Sequence, residues 1–225
     1  MTNPVFPPEP IAPAQFLEEW YPAAFAAAEL PPGADQVDVR LGILLEGEGG
    51  GEWTLHIAQG ELRVIPGSRA DAAFTYVQHV EDWRGTLWEG RGGSIGEGTA
   101  QLFRPGSQPA AAEGPGLSAA PSLAALSELE KLQGLLRMVV TGAESGDWSV
   151  AMKLGPGEIP SEPTTTVTVS AEDAAAMASG ELDPMAAFMS GRIRVEGDMT
   201  LMMQMQAIQM QAMAANGAGG DEAGS

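Results

Sequence analysis

Two stretches of the chain run through the same five features in the same order. They are GEWTLHIAQGELRVIPGSRADAAFTYVQHVEDW from position 51 and GDWSVAMKLGPGEIPSEPTTTVTVSAEDA from position 146. Each opens Gly-acid-Trp, alternates as a strand, and passes through a Gly/Pro connection. Each then forms a second strand of small or Thr-rich residues and ends in Glu-Asp opening a helix. A solenoid repeats every 20 to 50 residues or so, and this spacing is near 90, so the pattern predicts two copies of one unit.

The alternation is sharpest in QVDVRLGILLEG, where Val37, Val39, Leu41, Ile43 and Leu45 fall on one side. A period of two marks a strand with one buried face. GEGGGE turns the chain; WTLHIA and LRVIP continue as strands. With ADAAFTYV at 70–77 as a fourth, this reads as an antiparallel meander with Gly-rich hairpins. VEDWRGTLW reads as a short helix after it. In the second stretch LLRMVVTG, GDWSVAMKLG and TTTVTVS are strand chemistry.

Helices are read from apolar spacing and caps. AQFLEEWYPAAFAAAEL has helical spacing, with Pro22 placed to break or kink it. Ser122 precedes LAALSELEKL, with Leu123, Leu126, Leu129 and Leu132 on one stripe. Ser170 and Asp173 make a capping-box-like start for a helix ended by Gly180. Asp183 caps a second helix with Pro184 at its first position, and Asp198 caps a last, Met-rich one.

These breaks divide the chain into a Pro-rich arm (1–13), a first lobe (14–103), a Pro/Gly/Ala linker (104–121), a second lobe (122–214) and a disordered tail (215–225).

Charge excludes several partners. Eleven Lys and Arg against thirty Asp and Glu give −19, so there is no basic face to neutralise phosphates and no nucleic acid partner is expected. Electrostatic docking on anionic lipid is disfavoured in the same way. The uncharged run after Asp198 carries Gln204, Gln206, Gln209 and Gln211 and dissolves into glycine, which predicts no transmembrane segment. The start has neither basic nor apolar leader regions, and a soluble, cytoplasmic protein is expected.

Catalytic material is sparse. With no cysteine, and with His56 and His79 lying outside any Ser-Asp or His-pair pattern, no metal, cofactor or catalytic residue is expected. The pairs Glu81-Asp82 and Glu172-Asp173 open helices, where they favour the N-terminal dipole.

The run TVTVSAEDAAAMASGELDPMAAFMSGRIRVEGDMTLMMQM resembles the C-terminal signature of the sterol carrier protein type 2 (sterol-transfer domain) family. The matching residues are Gly180-Glu-Leu-Asp-Pro184, Ala187-Phe-Met-Ser-Gly191, Arg192 to Glu196 and Gly197-Asp198. The resemblance covers 134–214 and is weaker over 14–103, which suggests two tandem copies, the first divergent and incomplete. It implies an α/β (α+β) fold, a mostly antiparallel twisted five-stranded sheet covered by helices on one face. It also implies a non-catalytic domain with an apolar tunnel for a sterol, fatty acyl chain or other lipid.

The apolar residues expected to line that tunnel are Trp148, Val150 and Met152 on the sheet, and Met177, Met185, Phe188 and Met189 on the helices. Met199, Met202, Met203, Met205 and Met210 join them from the last helix. Methionine is flexible and polarizable and suits varied apolar shapes. Met at helical spacing also fits plain core, and a helix apolar nearly all round is buried or meets a partner. The alternative to a lipid carrier is therefore an interaction or homodimerisation module using the Met-rich helix.

Overall fold

The computed structural model describes residues 4–30, 34–36, 38–67, 69, 72–106, 130–205, 207 and 208. Eight strands form one sheet: β1 Asp38–Glu46, β2 Gly51–Ala58, β3 Glu61–Pro66, β4 Phe74–His79, β5 Gly134–Thr141, β6 Trp148–Leu154, β7 Thr165–Ser170 and β8 Arg194–Gly197. Their order is β3-β2-β1-β4-β6-β5-β7-β8.

The meander expectation holds for β1, β2 and β3 and fails at β4. β4 crosses back over two strands and pairs parallel with β1, Leu41 opposite Phe74. Alternation fixes which face a side chain takes and says nothing about which strand is the neighbour. The predicted strand at 70–77 is also shifted, since regular pairing starts at Phe74.

The two groups of four strands share part of their connectivity. In the first, β1 pairs antiparallel with β2 and parallel with β4; in the second, β5 pairs antiparallel with β6 and parallel with β7. β3 extends the first group beyond β2, and β8 extends the second beyond β7. Antiparallel pairing of β4 with β6, from Phe74↔Leu154 to Val77↔Ala151, joins the groups into a single sheet. That join covers two edges that would otherwise expose unpaired backbone groups.

The expected inward residues Ile43, Trp53 and Met152 lie in one row: Ile43 stands opposite Trp53 and Tyr76, Tyr76 opposite Met152, and Met152 opposite Leu136, and all are buried. Helices cover this face. Over β1–β4 lie the runs Pro13–Gln15, Phe16–Trp20 and Tyr21–Ala27, then Val80–Arg84 and Gly93–Ala100. Over β5–β8 lie Ala171–Ala178, Pro184–Met189 and a helical stretch at 199–205.

Pro22 does not break its helix. The chain stays helical from Pro13 to Ala27 through a wide π-type turn in which the Tyr21 N–H donates to the Phe16 carbonyl. Pro22 has no N–H to give, and the widened turn falls just ahead of it, where a regular helix would lose a bond.

The first helical group is filled with rings. Phe16 contacts Phe6, Trp20, Tyr21, Trp83, Trp88 and Phe103, most of them edge-on, with centroids 4.7–6.3 Å apart. Such pairs add about 0.5–1.5 kcal/mol each beyond burial. The N-terminal arm docks on this cluster: Trp20 Nε1 donates to the Val5 carbonyl at 3.0 Å and Trp88 Nε1 to that of Pro7 at 2.8 Å. The expected helix at 123–132 and the tail at 215–225 lie outside the described residues, apart from Glu130, Lys131 and Leu132, of which Leu132 packs against the core.

Candidate functional site

The candidate site is the helical layer over β5–β8, and local capping chemistry builds it. The Ser170 hydroxyl accepts from the Asp173 N–H at 3.0 Å and donates to the Asp173 carboxylate at 2.8 Å, starting the helix Ala171–Ala178 where the pattern places it. Asp183 accepts from the Ala186 N–H at 2.8 Å and Asp198 from the Thr200 N–H at 2.7 Å. Hydrogen bonding to Thr200 holds the Asp198 carboxyl below its ordinary range.

Each of these helices is pinned to the sheet by small or branched anchors. Ala174 and Ala187 are buried, as are Leu201 and Met205, one turn apart on the last helix. Ile193, just before β8, is buried in the same core. None of these five except Met205 stands out in the sequence as a site residue, because a buried alanine has no pattern of its own.

The expected lining residues fall into three groups. Trp148, Val150 and Met152 are buried on the covered face of β6. Met177 and Met202 are half-buried and packed against the core, and Met205 is buried. Met185, Phe188, Met189, Met199 and Met203 are exposed, Met189 by 78% and Met203 by 59%. Met210 lies outside the described residues. The last helix is thus two-sided: Leu201 and Met205 face the sheet, Met199 and Met203 face away.

This exposure contrasts with the first helical group, where the large aromatics are buried or packed against the core. Five of the seven large exposed hydrophobics of the described chain sit between 185 and 203. Scattered single exposed apolar residues are ordinary, but five on two successive helices call for a reason.

The two groups meet along a buried polar seam that the sequence did not single out. Trp148 Nε1 donates to Thr86 Oγ1 at 2.8 Å, and Thr86 Oγ1 donates to the Asp82 carbonyl at 2.7 Å. Gln78 donates to the Ser149 carbonyl at 3.0 Å and accepts a short bond from the Tyr76 hydroxyl. Asp82 accepts from the Ser149 N–H at 3.2 Å and pairs with Arg91 at 3.2 Å. Burial pushes the Tyr76 phenol well above its usual range.

His56 pairs with Asp38 on the outer sheet face at 2.8 Å. Among the described residues no three His, Asp or Glu side chains converge as a metal-holding group. Among them, too, no helix is long and apolar enough to cross a membrane.

Comparison with known proteins bears on the second group of strands. Residues 117–210 match the SCP-2 sterol transfer family. Hydroxysteroid dehydrogenase-like protein 2 of Xenopus tropicalis is 36% identical over 81 residues, which is 34% of this chain and 19% of that protein. Sterol carrier protein 2 of Rattus norvegicus is 28% identical over 90 residues, 37% of this chain and 16% of the relative. The matched segment therefore spans less than a fifth of the length of either relative. Among solved structures, the sterol carrier protein domain 2 of Helicoverpa armigera shows 29% identity and a TM-score of 0.28, over 38% of this chain and 73% of that one. Residues 117–210 are accordingly the part of this chain that is similar to the SCP-2 sterol transfer family.

Proposed function

We propose that the β5–β8 half binds an apolar lipid, a sterol or fatty acyl chain, on its helical layer, without catalysing a reaction. The observation that carries this reading is the exposure of Met185, Phe188, Met189, Met199 and Met203 on helices whose inner faces are anchored to an apolar floor. Burying a side chain of this size is worth about 1.5–3 kcal/mol, so a ligand that draws several of them from water gains substantially. The family match of residues 117–210 and the sterol carrier name of the rat relative agree with it.

In this reading the β1–β4 half is an internal copy that has lost the ligand space. Supporting observations are the shared β1/β2/β4 and β5/β6/β7 arrangement and the placing of Trp53 and Trp148 on the covered face of β2 and β6. Aromatic rings occupy the helical layer there. The boundaries proposed for the two copies are 14–103 and 122–214, and the proposed compartment is the cytoplasm. The relatives named as enzymes leave the whole-protein activities of those chains outside this proposal.

The same exposed residues would also serve a protein partner or a second copy of the chain. Native mass spectrometry of protein purified from cells separates the readings. A co-purifying lipid of defined mass supports the carrier; a ligand-free dimer that falls apart when Met203 is changed to Asp supports the interaction module and removes the carrier.

A further inference from the structure

At the carboxyl ends of the parallel pair β5 and β7 lies an open cleft of about 310 Å³. Thr141, the last residue of β5, and Ser170, the last of β7, stand at its walls, with Thr168 beside them. Arg192 and Arg194 enter from the start of β8. Ligands in α/β sheets bind outside the carboxyl ends of parallel strands, where the chain diverges and leaves a crevice.

The cleft differs from the lipid-facing layer in chemistry and in place. Thr168 and Arg194 are opposite one another in the β7–β8 register, on the sheet face away from Val167 and Val169. After residue 105 the chain has five basic residues, Lys131, Arg137, Lys153, Arg192 and Arg194, and two of the five line this one cleft. In a protein of net charge −19 that is a local reversal of sign. At physiological salt charges are screened beyond about 8 Å, so an ion in the cleft feels its own walls more than the distant carboxylates.

The charges inside the cleft do not cancel. Asp173 is taken up by Arg192, whose Nη1 lies 3.1 Å from its Oδ1, and by Ser170. Glu196 shares the face of Arg194 but lies two residues further along β8 and does not line the cleft. Arg194 is exposed, and no hydrogen bond or ion pair engages it among the described residues. A guanidinium with hydroxyls around it presents planar N–H donors and O–H donors to an oxyanion.

We propose that this cleft binds a phosphate or phosphate-monoester anion, with Arg194 as the main charge, Arg192 as a second and Thr168 as a hydroxyl donor. The inference stands apart from the lipid reading of the helical layer. The shared chemistry admits a free phosphate or the headgroup of a phosphorylated amphiphile.

The test is a titration of the intact, ¹⁵N-labelled chain with inorganic phosphate and, separately, with hexyl phosphate. Arg194→Gln removes the charge, and Arg137→Gln, an exposed arginine of β5 outside the cleft, is the control. Saturable shifts of the Thr141, Thr168, Ser170 and Arg194 amides are expected, weakened about tenfold by Arg194→Gln, the loss of one charge-assisted contact, and unchanged by Arg137→Gln. Equal affinity for both probes assigns a free anion; tighter binding of hexyl phosphate assigns a headgroup. Absence of saturable shifts, or shifts equal in Arg194→Gln and wild type, overturns the proposal. Because Arg194 is not among the residues proposed to meet the lipid, loss of phosphate binding in Arg194→Gln leaves lipid uptake intact.

Discussion

Trp148 Nε1 donates to Thr86 Oγ1 at 2.8 Å with both side chains buried, and this bond ties the two halves of the sheet to each other. Thr86 belongs to the helical cover of β1–β4, whereas Trp148 opens β6. Thr86→Val keeps the shape and removes the acceptor, leaving a buried indole N–H unpaired, at a cost of about 1–3 kcal/mol. Chemical denaturation should show that loss in a single transition, read alike by far-UV dichroism and tryptophan fluorescence. Two separate transitions in the wild type would mean that the halves fold independently.

Gly92 packs against the same indole. Its φ is +81°, and a Cβ placed there would sit 2.7 Å from Trp148 Cδ2. Gly92→Ala therefore meets backbone strain and a ring that cannot retreat. A destabilisation of about 2–4 kcal/mol is expected, against about 1 kcal/mol for Gly90→Ala, whose Cβ would meet nothing within 4 Å and which carries only the φ strain. Thermal melts of the two variants check the difference.

The strands, and the caps Ser170, Asp183 and Asp198, were legible in the sequence because each depends on residues a few positions apart. Alternation put Trp53, Leu55, Trp148 and Val150 on the covered face, where they lie. The return of β4 beside β1 and the β4–β6 join were not legible, because an alternating strand pairs equally well with any matching edge. Thr86, Gln78 and Asp82 gave no signal, since their partners lie up to 71 residues away. The outward turn of Met199 and Met203 was hidden for another reason. On a helix apolar nearly all round, periodicity marks no outer face, and only the anchors Leu201 and Met205 set its rotation.

Lys153 supplies a pH test. Its side chain is buried on β6, its ammonium donates to the Gly155 carbonyl, and burial, with Arg69 nearby, lowers its pKa from 10.5. Below the folded-state pKa the lysine is protonated folded and unfolded, and the whole burial penalty is present. As pH rises from there toward 10.5 the unfolded chain holds more protons, so this residue's contribution becomes more favourable. Relative to Lys153→Met, wild type should gain stability as pH rises toward 10.5. A constant difference would contradict the lowered pKa; comparison at each pH cancels the tyrosines, whose raised pKa values act in the opposite sense.

The exposed methionines separate binding from folding. Met189→Gln and Met203→Gln should change stability by no more than about 0.5 kcal/mol, as surface substitutions do. Each should weaken lipid binding about threefold to tenfold through lost apolar contact. Equilibrium denaturation and competition with a fluorescent fatty acid provide the two readouts. Equal affinity in all variants would place the ligand away from these helices.

The central claim is tested most directly by following the methionine methyl groups of the intact chain, ¹³C-labelled at Met, during titration with oleic acid and with cholesterol. The account predicts that the Met185, Met189, Met199 and Met203 signals move together and saturate at one ligand per chain, while Met138, buried on β5, moves less. Signals that ignore both ligands, yet move with protein concentration alone, would contradict it and show that these helices meet another copy of the chain.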